Sequence, residues 1–227
     1  MSTPSARRFD PLRFETPTRA EAPPGSASAY GLFFTESLRS LSVTASLFPS
    51  SRYLAKALLR RVDFTRARVV VELGMGTGAI TTEILKRLGP DSVLYGFDLN
   101  PLFVAHLRQR IQDPRFVPIL GKAENLAALL DQQGIRRANA VVSSLGLTSM
   151  RPRQRSAIVK QVTDRLAEGG VLAQYQYVHA SGSPNWLSKF GIQRFAEKDF
   201  LQAHFRHVHS ERVIWNLPPA NVYTCRL

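Results

Sequence analysis

The stretch that decides the fold is Val69-Val-Val-Glu-Leu-Gly-Met-Gly-Thr-Gly-Ala-Ile-Thr81. An apolar run of strand length ends in three glycines at alternate positions, Gly74, Gly76 and Gly78, and passes directly into a helical pattern. Without side chains there, the backbone can turn sharply and come close to a ligand. The helix that follows aims its unpaired N–H groups at the same place. Gly74 to Ala79 also satisfies Gly-x-Gly-x-x-Ala, the dinucleotide fingerprint. Glu72 separates the readings: two residues before Gly74 it would repel a diphosphate, whereas it suits a cationic amino-acid moiety.

Outward from this unit, apolar strands alternate with amphipathic helices. Strands are expected at 68–73, 92–98, 115–119, 138–144 and 169–178, and helices at 78–88, 101–111, 123–133 and 152–167. Regular alternation means βαβ units and a parallel sheet. The C-terminal part departs from it: a helix near 196–204 leads to strands at 207–215 and 220–226, separated only by Leu217-Pro-Pro219. So short a connection requires an antiparallel pair.

Upstream, residues 1–27 hold five of the 14 prolines and no periodicity, which reads as a disordered tail. Residues 28–62 read as N-terminal amphipathic helices, and 63–227 as the catalytic-type domain. In the first helix Phe34, Leu38, Leu41, Ala45 and Phe48 share one face, a membrane-lying or lid helix. A second helix is expected at 51–62, capped by Ser50 or Ser51. The 30 Lys and Arg against 17 Asp and Glu give a net charge of +13. Such a surplus attracts anionic partners, either nucleic acid or an anionic membrane face. One cysteine, Cys225, excludes an internal disulfide framework and fits a reducing compartment. The start lacks the apolar core of a secretory signal, and no apolar run is long enough to span a bilayer, so a soluble or peripheral protein is expected.

Asp98 closes the second strand, 24 positions after Gly74, where an acid accepts hydrogen bonds from ribose hydroxyls. Glu-Leu-Gly-x-Gly-Thr-Gly resembles the first motif of S-adenosylmethionine enzymes. The resemblance implies that Gly74, Gly76, Thr77 and Gly78, with Glu72, contact the methionine part of S-adenosylmethionine, and that S-adenosylhomocysteine is the product. Leu99 would lie beside Asp98 in that cofactor set. Leu120-Gly-Lys-Ala-Glu124 resembles the Gly-Asp-Ala segment that touches adenine in such enzymes, so Ala123 and Glu124 join the set, with Lys122 replacing the usual Asp. Ser143, at the end of the fourth strand, completes it. The implied fold is α/β: a Rossmann-like class I methyltransferase with a seven-stranded, mostly parallel sheet, a C-terminal antiparallel hairpin and an N-terminal helical extension.

The methyl acceptor is read from other segments. Ser143-Ser-Leu-Gly146 offers no Asn/Asp-Pro/Leu-Pro-Tyr of the adenine N6-methyltransferase kind, which counts against nucleic acid. Ser-Ser-Leu-Gly-Leu-Thr-Ser149 is similar to the Ser-Gly-Leu-Pro-Leu segment of bacterial phospholipid N-methyltransferases. Val43-Thr-Ala-Ser-Leu-Phe-Pro-Ser-Ser-Arg-Tyr-Leu-Ala55, Gly169 to Tyr177 and Trp215-Asn-Leu-Pro-Pro-Ala-Asn-Val-Tyr223 resemble further segments of that family, with Gly146 standing where the family has Pro. The resemblance implies stepwise methylation of the phosphatidylethanolamine amine toward phosphatidylcholine by a cytoplasmic protein peripheral on the inner face of the cell membrane. Its partners would be the phospholipid substrate and an anionic membrane surface. Ornithine lipid or another aminolipid is the alternative acceptor, and an rRNA adenine N6-methyltransferase-like enzyme a more distant one.

In-line attack of an amine on a sulfonium methyl needs no metal, and no metal site is expected. Tyr175, Tyr177 and His179 alternate on the fifth strand and so share a face, where they would surround the amine and His179 would relay its proton. Ser50, Ser51 and Arg52, at a helix start, are candidates for a lipid phosphate, with Ser144 and Asn216 completing the substrate set. Nothing in the sequence sets an oligomeric state.

Overall fold

The structure is a computed structural model, and it describes residues 50–178, 196–216 and 219–227. The expected tail at 1–27, the first amphipathic helix and His179 lie outside the described residues. Helices are α1 (Ser50–Leu59), α2 (Ala79–Leu85), α3 (Pro101–Arg110), α4 (Leu126–Gln132), α5 (Pro152–Arg165) and α6 (Glu197–Gln202). Strands are β1 (Val69–Leu73), β2 (Val93–Asp98), β3 (Phe116–Leu120), β4 (Ala138–Ser143), β5 (Leu166–Tyr177), β6 (His207–Val213) and β7 (Ala220–Arg226).

The strands form one seven-stranded sheet in the order β3-β2-β1-β4-β5-β7-β6. β1 to β5 pair in parallel, and β7 runs antiparallel to both β5 and β6, as the short Leu-Pro-Pro connection requires. The order reverses at β1, and in an open α/β sheet the crevice outside the strand ends at such a switch point is where a ligand binds.

Because side chains alternate across a strand, the sheet has two cores. On one face Val70, Leu94, Ala140, Val142 and Ala173 pack under α1, α2 and α3 with Leu58, Ile84 and Leu107. On the other, Val71, Phe97, Val141, Leu172 and Cys225 pack under α4, α5 and α6 with Leu130, Val162 and Leu201. Central strands buried on both faces read as continuous apolar runs, which is why Val69-Val-Val was so clear in the sequence.

Of the boundaries that differ from the sequence reading, three have a visible cause. Helix α1 stops at Leu59 rather than 62; Val62 and Phe64 leave the helix to fill the first core, and Val62 N–H bonds back to the Leu59 carbonyl at 3.2 Å. Helix α5 stops at Arg165 because Leu166 takes extended dihedrals and already pairs with Ala138. Arg137 donates to the Asp164 and Leu166 carbonyls freed there, at 2.9 and 3.0 Å. Strand β6 stops at Val213, so Ile214 and Trp215 belong to the turn and not to the strand.

Candidate active site

The site grows from the end of β1. Gly74 and Gly78 hold φ of +82° and +84°, a region that costs any residue with a Cβ. Sterics add to this: a Cβ on Gly74 would lie 2.9 Å from Ser144 Oγ, and one on Gly78 would lie 2.4 Å from Leu107 Cδ2. The turn is closed by Gly74 N–H donating to the Phe97 carbonyl at 2.8 Å and by Gly76 N–H donating to Asp98 Oδ2 at 2.9 Å. Asp98 Oδ1 accepts from Asn100 N–H at 2.8 Å. The predicted ribose acceptor therefore also braces the glycine turn, and each carboxylate oxygen keeps a lone pair for a ligand hydroxyl. The helix cap that could have competed for this role is Asn100, whose side chain accepts from Leu102 N–H.

A cavity of about 220 Å³ opens beside this turn, at the strand ends on the second face. Gly74, Asp98, Leu99, Ala123 and Glu124 from the predicted cofactor set line it. Leu145, Met150, Gln154 and Ile158, which the sequence reading did not single out, complete the wall. Gln154 Nε2 donates to Glu124 Oε1 at 2.7 Å, so α5 fixes the orientation of that carboxylate. A larger open groove of about 990 Å³ lies at the opposite strand ends, between Lys86 and Arg110, and gathers none of the predicted residues. Thr77 is half-buried in the turn.

Glu72 is on the other face. It is 1% exposed, and neither carboxylate oxygen has a hydrogen-bond partner; the buried Thr81 hydroxyl lacks one too. Burial pushes its pKa up to about 8, with Asp98 adding and Thr81 opposing. An orphaned carboxylate beneath a glycine turn fits a cationic amino-acid moiety, and the cavity with Asp98 fits a nucleoside. The residues present thus suit S-adenosylmethionine. Tyr175 and Tyr177 pack against the same core as the Glu72 face, with ring centroids 5.3 Å apart at 73°. Burial first, then Tyr177 and Glu72, raise the Tyr175 hydroxyl pKa. The structure therefore brings these two tyrosines together with Glu72.

The β4 end is tied to the cofactor turn. Ser143 is buried, and its Oγ accepts from Leu145 N–H at 3.3 Å. The Ser144 hydroxyl donates to the Gly74 carbonyl, and its N–H donates to the Leu73 carbonyl at 3.0 Å. Ser144 thus points onto the glycine turn, where the sequence reading had assigned it to the acceptor. Gln174 Nε2 holds the Leu145 carbonyl at 2.8 Å from below. Arg52 is exposed in the first turn of α1, the Ser50 and Ser51 side chains lie outside the described residues, and Asn216 is buried in the β6–β7 turn.

Two features escaped the sequence reading. Glu197 is buried with both oxygens unpartnered, and burial raises its pKa to about 8 against the opposing Gln174; in sequence it is an ordinary acid at a helix start. Gly96 carries the other signal. Met75, the middle residue of the first Gly-x-Gly, packs on it so closely that a Cβ there would lie 2.3 Å from the Met75 sulfur. Gly96→Ala is expected to cost about 1–3 kcal/mol of stability through overpacking and to weaken cofactor affinity by displacing Met75. Thermal unfolding and calorimetric titration check this, and unchanged values for both would show that Met75 does not anchor the turn.

A switch-point cavity, an acid before a glycine turn and an acid closing β2, on a sheet with the 3-2-1-4-5-7-6 order, define a class I S-adenosylmethionine-dependent methyltransferase. A methyltransferase-domain family model matches residues 70–170. The chain is 34% identical over 196 residues to an ornithine lipid N-methyltransferase from Singulisphaera acidiphila, covering 86% of this chain and 94% of that one. A ribosomal RNA small subunit methyltransferase H from Christiangramia forsetii is 33% identical over only 96 residues, 42% of this chain and 31% of that one. Among solved structures, the Burkholderia thailandensis 1,6-didemethyltoxoflavin-N1-methyltransferase, bound to S-adenosylhomocysteine, superposes with a TM-score of 0.59 at 18% identity, covering 91% of this chain and 92% of that one. The chain is an S-adenosylmethionine-dependent methyltransferase and belongs to the family that includes the Singulisphaera enzyme.

Proposed function

We propose that the protein transfers methyl groups from S-adenosylmethionine to the primary amine of a membrane aminolipid. The observation that carries this reading is the near full-length likeness to an ornithine lipid N-methyltransferase, against a likeness to the ribosomal RNA enzyme that covers less than half of the chain. Ornithine lipid is the first acceptor. Phosphatidylethanolamine is the second, supported by the Ser50-Ser-Arg52 and Asn216-Leu-Pro-Pro219 resemblances. Either acceptor would be met by a protein peripheral on the cytoplasmic face of the membrane. Among the described residues no helix is long and apolar enough to cross a bilayer.

S-adenosylmethionine would supply an electrophilic sulfonium methyl, which an uncharged amine would take by in-line attack, the C–S bond breaking and S-adenosylhomocysteine leaving as the neutral thioether. Asp98 and the cavity wall would hold its nucleoside end, and Glu72 with the glycine turn its amino-acid end. Positioning the two reactants supplies much of the acceleration. The acceptor amine arrives as an ammonium, and a desolvated site lowers its pKa so that the proton leaves before attack. Tyr175 and Tyr177 would form aromatic walls that accept the ammonium and its methylated successors.

Incubation of the full chain with labelled S-adenosylmethionine and detergent-dispersed ornithine lipid, phosphatidylethanolamine or RNA separates the readings. Label is expected in the aminolipids, ornithine lipid foremost. Label in RNA with none in either lipid would overturn the proposal.

A further inference from the structure

Among the described residues seven large apolar side chains are exposed. Five of them, Leu99, Leu102, Leu120, Ile214 and Trp215, sit just at or after the C-terminal ends of β2, β3 and β6, the edge on which the cofactor cavity opens. β6 runs in the same direction as the parallel strands, because β7 is antiparallel to both it and β5. The β6–β7 turn is therefore on that edge too. Ile214 and Trp215 are the most prominent pair, adjacent in sequence and 63% and 75% exposed.

The turn beneath them is fastened. Val213 and Ala220 are buried and paired, Asn216 is buried, Val178 N–H donates to the Pro219 carbonyl at 2.8 Å, and Arg212 Nε donates to Asn221 Oδ1 at 3.1 Å. A well-anchored turn that keeps an isoleucine and a tryptophan largely in water forgoes most of the burial energy of both side chains. Adjacent exposed apolar side chains mark an interaction surface. The charges on the same edge indicate its partner: Lys122, Arg151, Arg153 and Arg212 are exposed there, on a chain whose net charge is +13. Tryptophan is the side chain enriched at the headgroup level of a bilayer, and cations beside it favour anionic lipids.

We propose that the β6–β7 turn inserts Ile214 and Trp215 into the headgroup region of an anionic lipid surface, so that the strand-end edge with the cofactor cavity faces the bilayer. This rests on the aminolipid reading above. It places the mouth of the site where an acceptor amine emerges from the membrane, and it gives the fold a contact separate from any N-terminal helix.

The test uses the full chain carrying Trp186→Phe, which leaves Trp215 as the sole tryptophan. Vesicles of phosphatidylethanolamine and phosphatidylglycerol are expected to shift its emission to the blue, and bromine-labelled acyl chains to quench it. The double variant Ile214→Ser, Trp215→Ser is expected to bind those vesicles roughly tenfold or more weakly, with unchanged S-adenosylmethionine affinity and unchanged methylation of detergent-dispersed aminolipid. Emission indifferent to vesicles overturns the proposal. So does a Trp215 already shielded from acrylamide without vesicles, which would mean that the chain covers the turn itself. An oligomer that the double variant dissociates overturns it as well, since the partner would be a second copy. If Trp215 inserts but no aminolipid is methylated in detergent or vesicles, the docking surface stands and the acceptor assignment fails.

Discussion

Asp98→Ala is expected to weaken S-adenosylmethionine binding by about 10²–10³-fold, through loss of charge-assisted hydrogen bonds to the ribose. Part of that loss comes from the protein. The same carboxylate accepts from Gly76 and Asn100 N–H groups, and its removal leaves the glycine turn without its brace. Calorimetry with S-adenosylhomocysteine and with a 2′,3′-dideoxyribose analogue separates the two contributions. If Asp98 holds the ribose, the analogue should lose far less affinity in the variant than the parent ligand does. An equal loss for both would reduce Asp98 to a brace.

Glu72→Gln is expected to have opposite effects on stability and on binding. The folded pKa of Glu72 is raised to about 8 from an ordinary 4.5, so the unfolded chain gives up this proton at lower pH than the folded one. Below pH 4.5, where the group is protonated in both states, its ionisation adds no cost to folding. The cost grows as pH rises from there toward 8 and is constant above. The Gln variant removes the cost, so its melting temperature should exceed that of the wild type at pH 8 and match it near pH 4.5. Glu197 titrates in the same window in both proteins and cancels from the comparison. Cofactor affinity should fall by about 10–100-fold, because the amino-acid cation loses its buried counter-charge. The linked observation is a proton. With its pKa raised by burial, Glu72 is expected to hold its proton near neutral pH, so binding a cation beside it should release up to one proton, visible as a buffer-dependent binding enthalpy. A wild-type enthalpy independent of buffer would refute the contact.

The sequence made the first half of this site readable because its chemistry is local. Glu72, Gly74 and Gly78 stand within seven residues, and the backbone geometry they require is a property of that segment alone. Asp98 was readable through a spacing rule. Parallel pairing of the first five strands followed from alternation, and the antiparallel C-terminal pair from the short Leu-Pro-Pro connection. The rest depended on tertiary neighbours. Nothing in Met75 or Gly96 taken singly announces that one packs on the other, and Gln154 reaches Glu124 only because α5 crosses the cavity. Ser144 was assigned to the acceptor, and only the parallel pairing of β4 with β1 shows that its hydroxyl also reaches the Gly74 carbonyl. Ile214 and Trp215 read as the end of a strand until the register closed at Val213 and Ala220.

The link from Ser144 to Gly74 has an evolutionary consequence. The loop after β4, assigned to the acceptor from the sequence, shares hydrogen bonds with the glycine turn assigned to the donor. Gln174 pins the next residue, Leu145, which also lines the donor cavity. Substitutions over 143–147 chosen to admit a new headgroup therefore disturb donor binding as well, so acceptor choice and donor affinity cannot be selected one at a time. Diversification in such a lineage is easier in surfaces outside this stitched segment, such as the first turn of α1 and the tip of the β6–β7 hairpin.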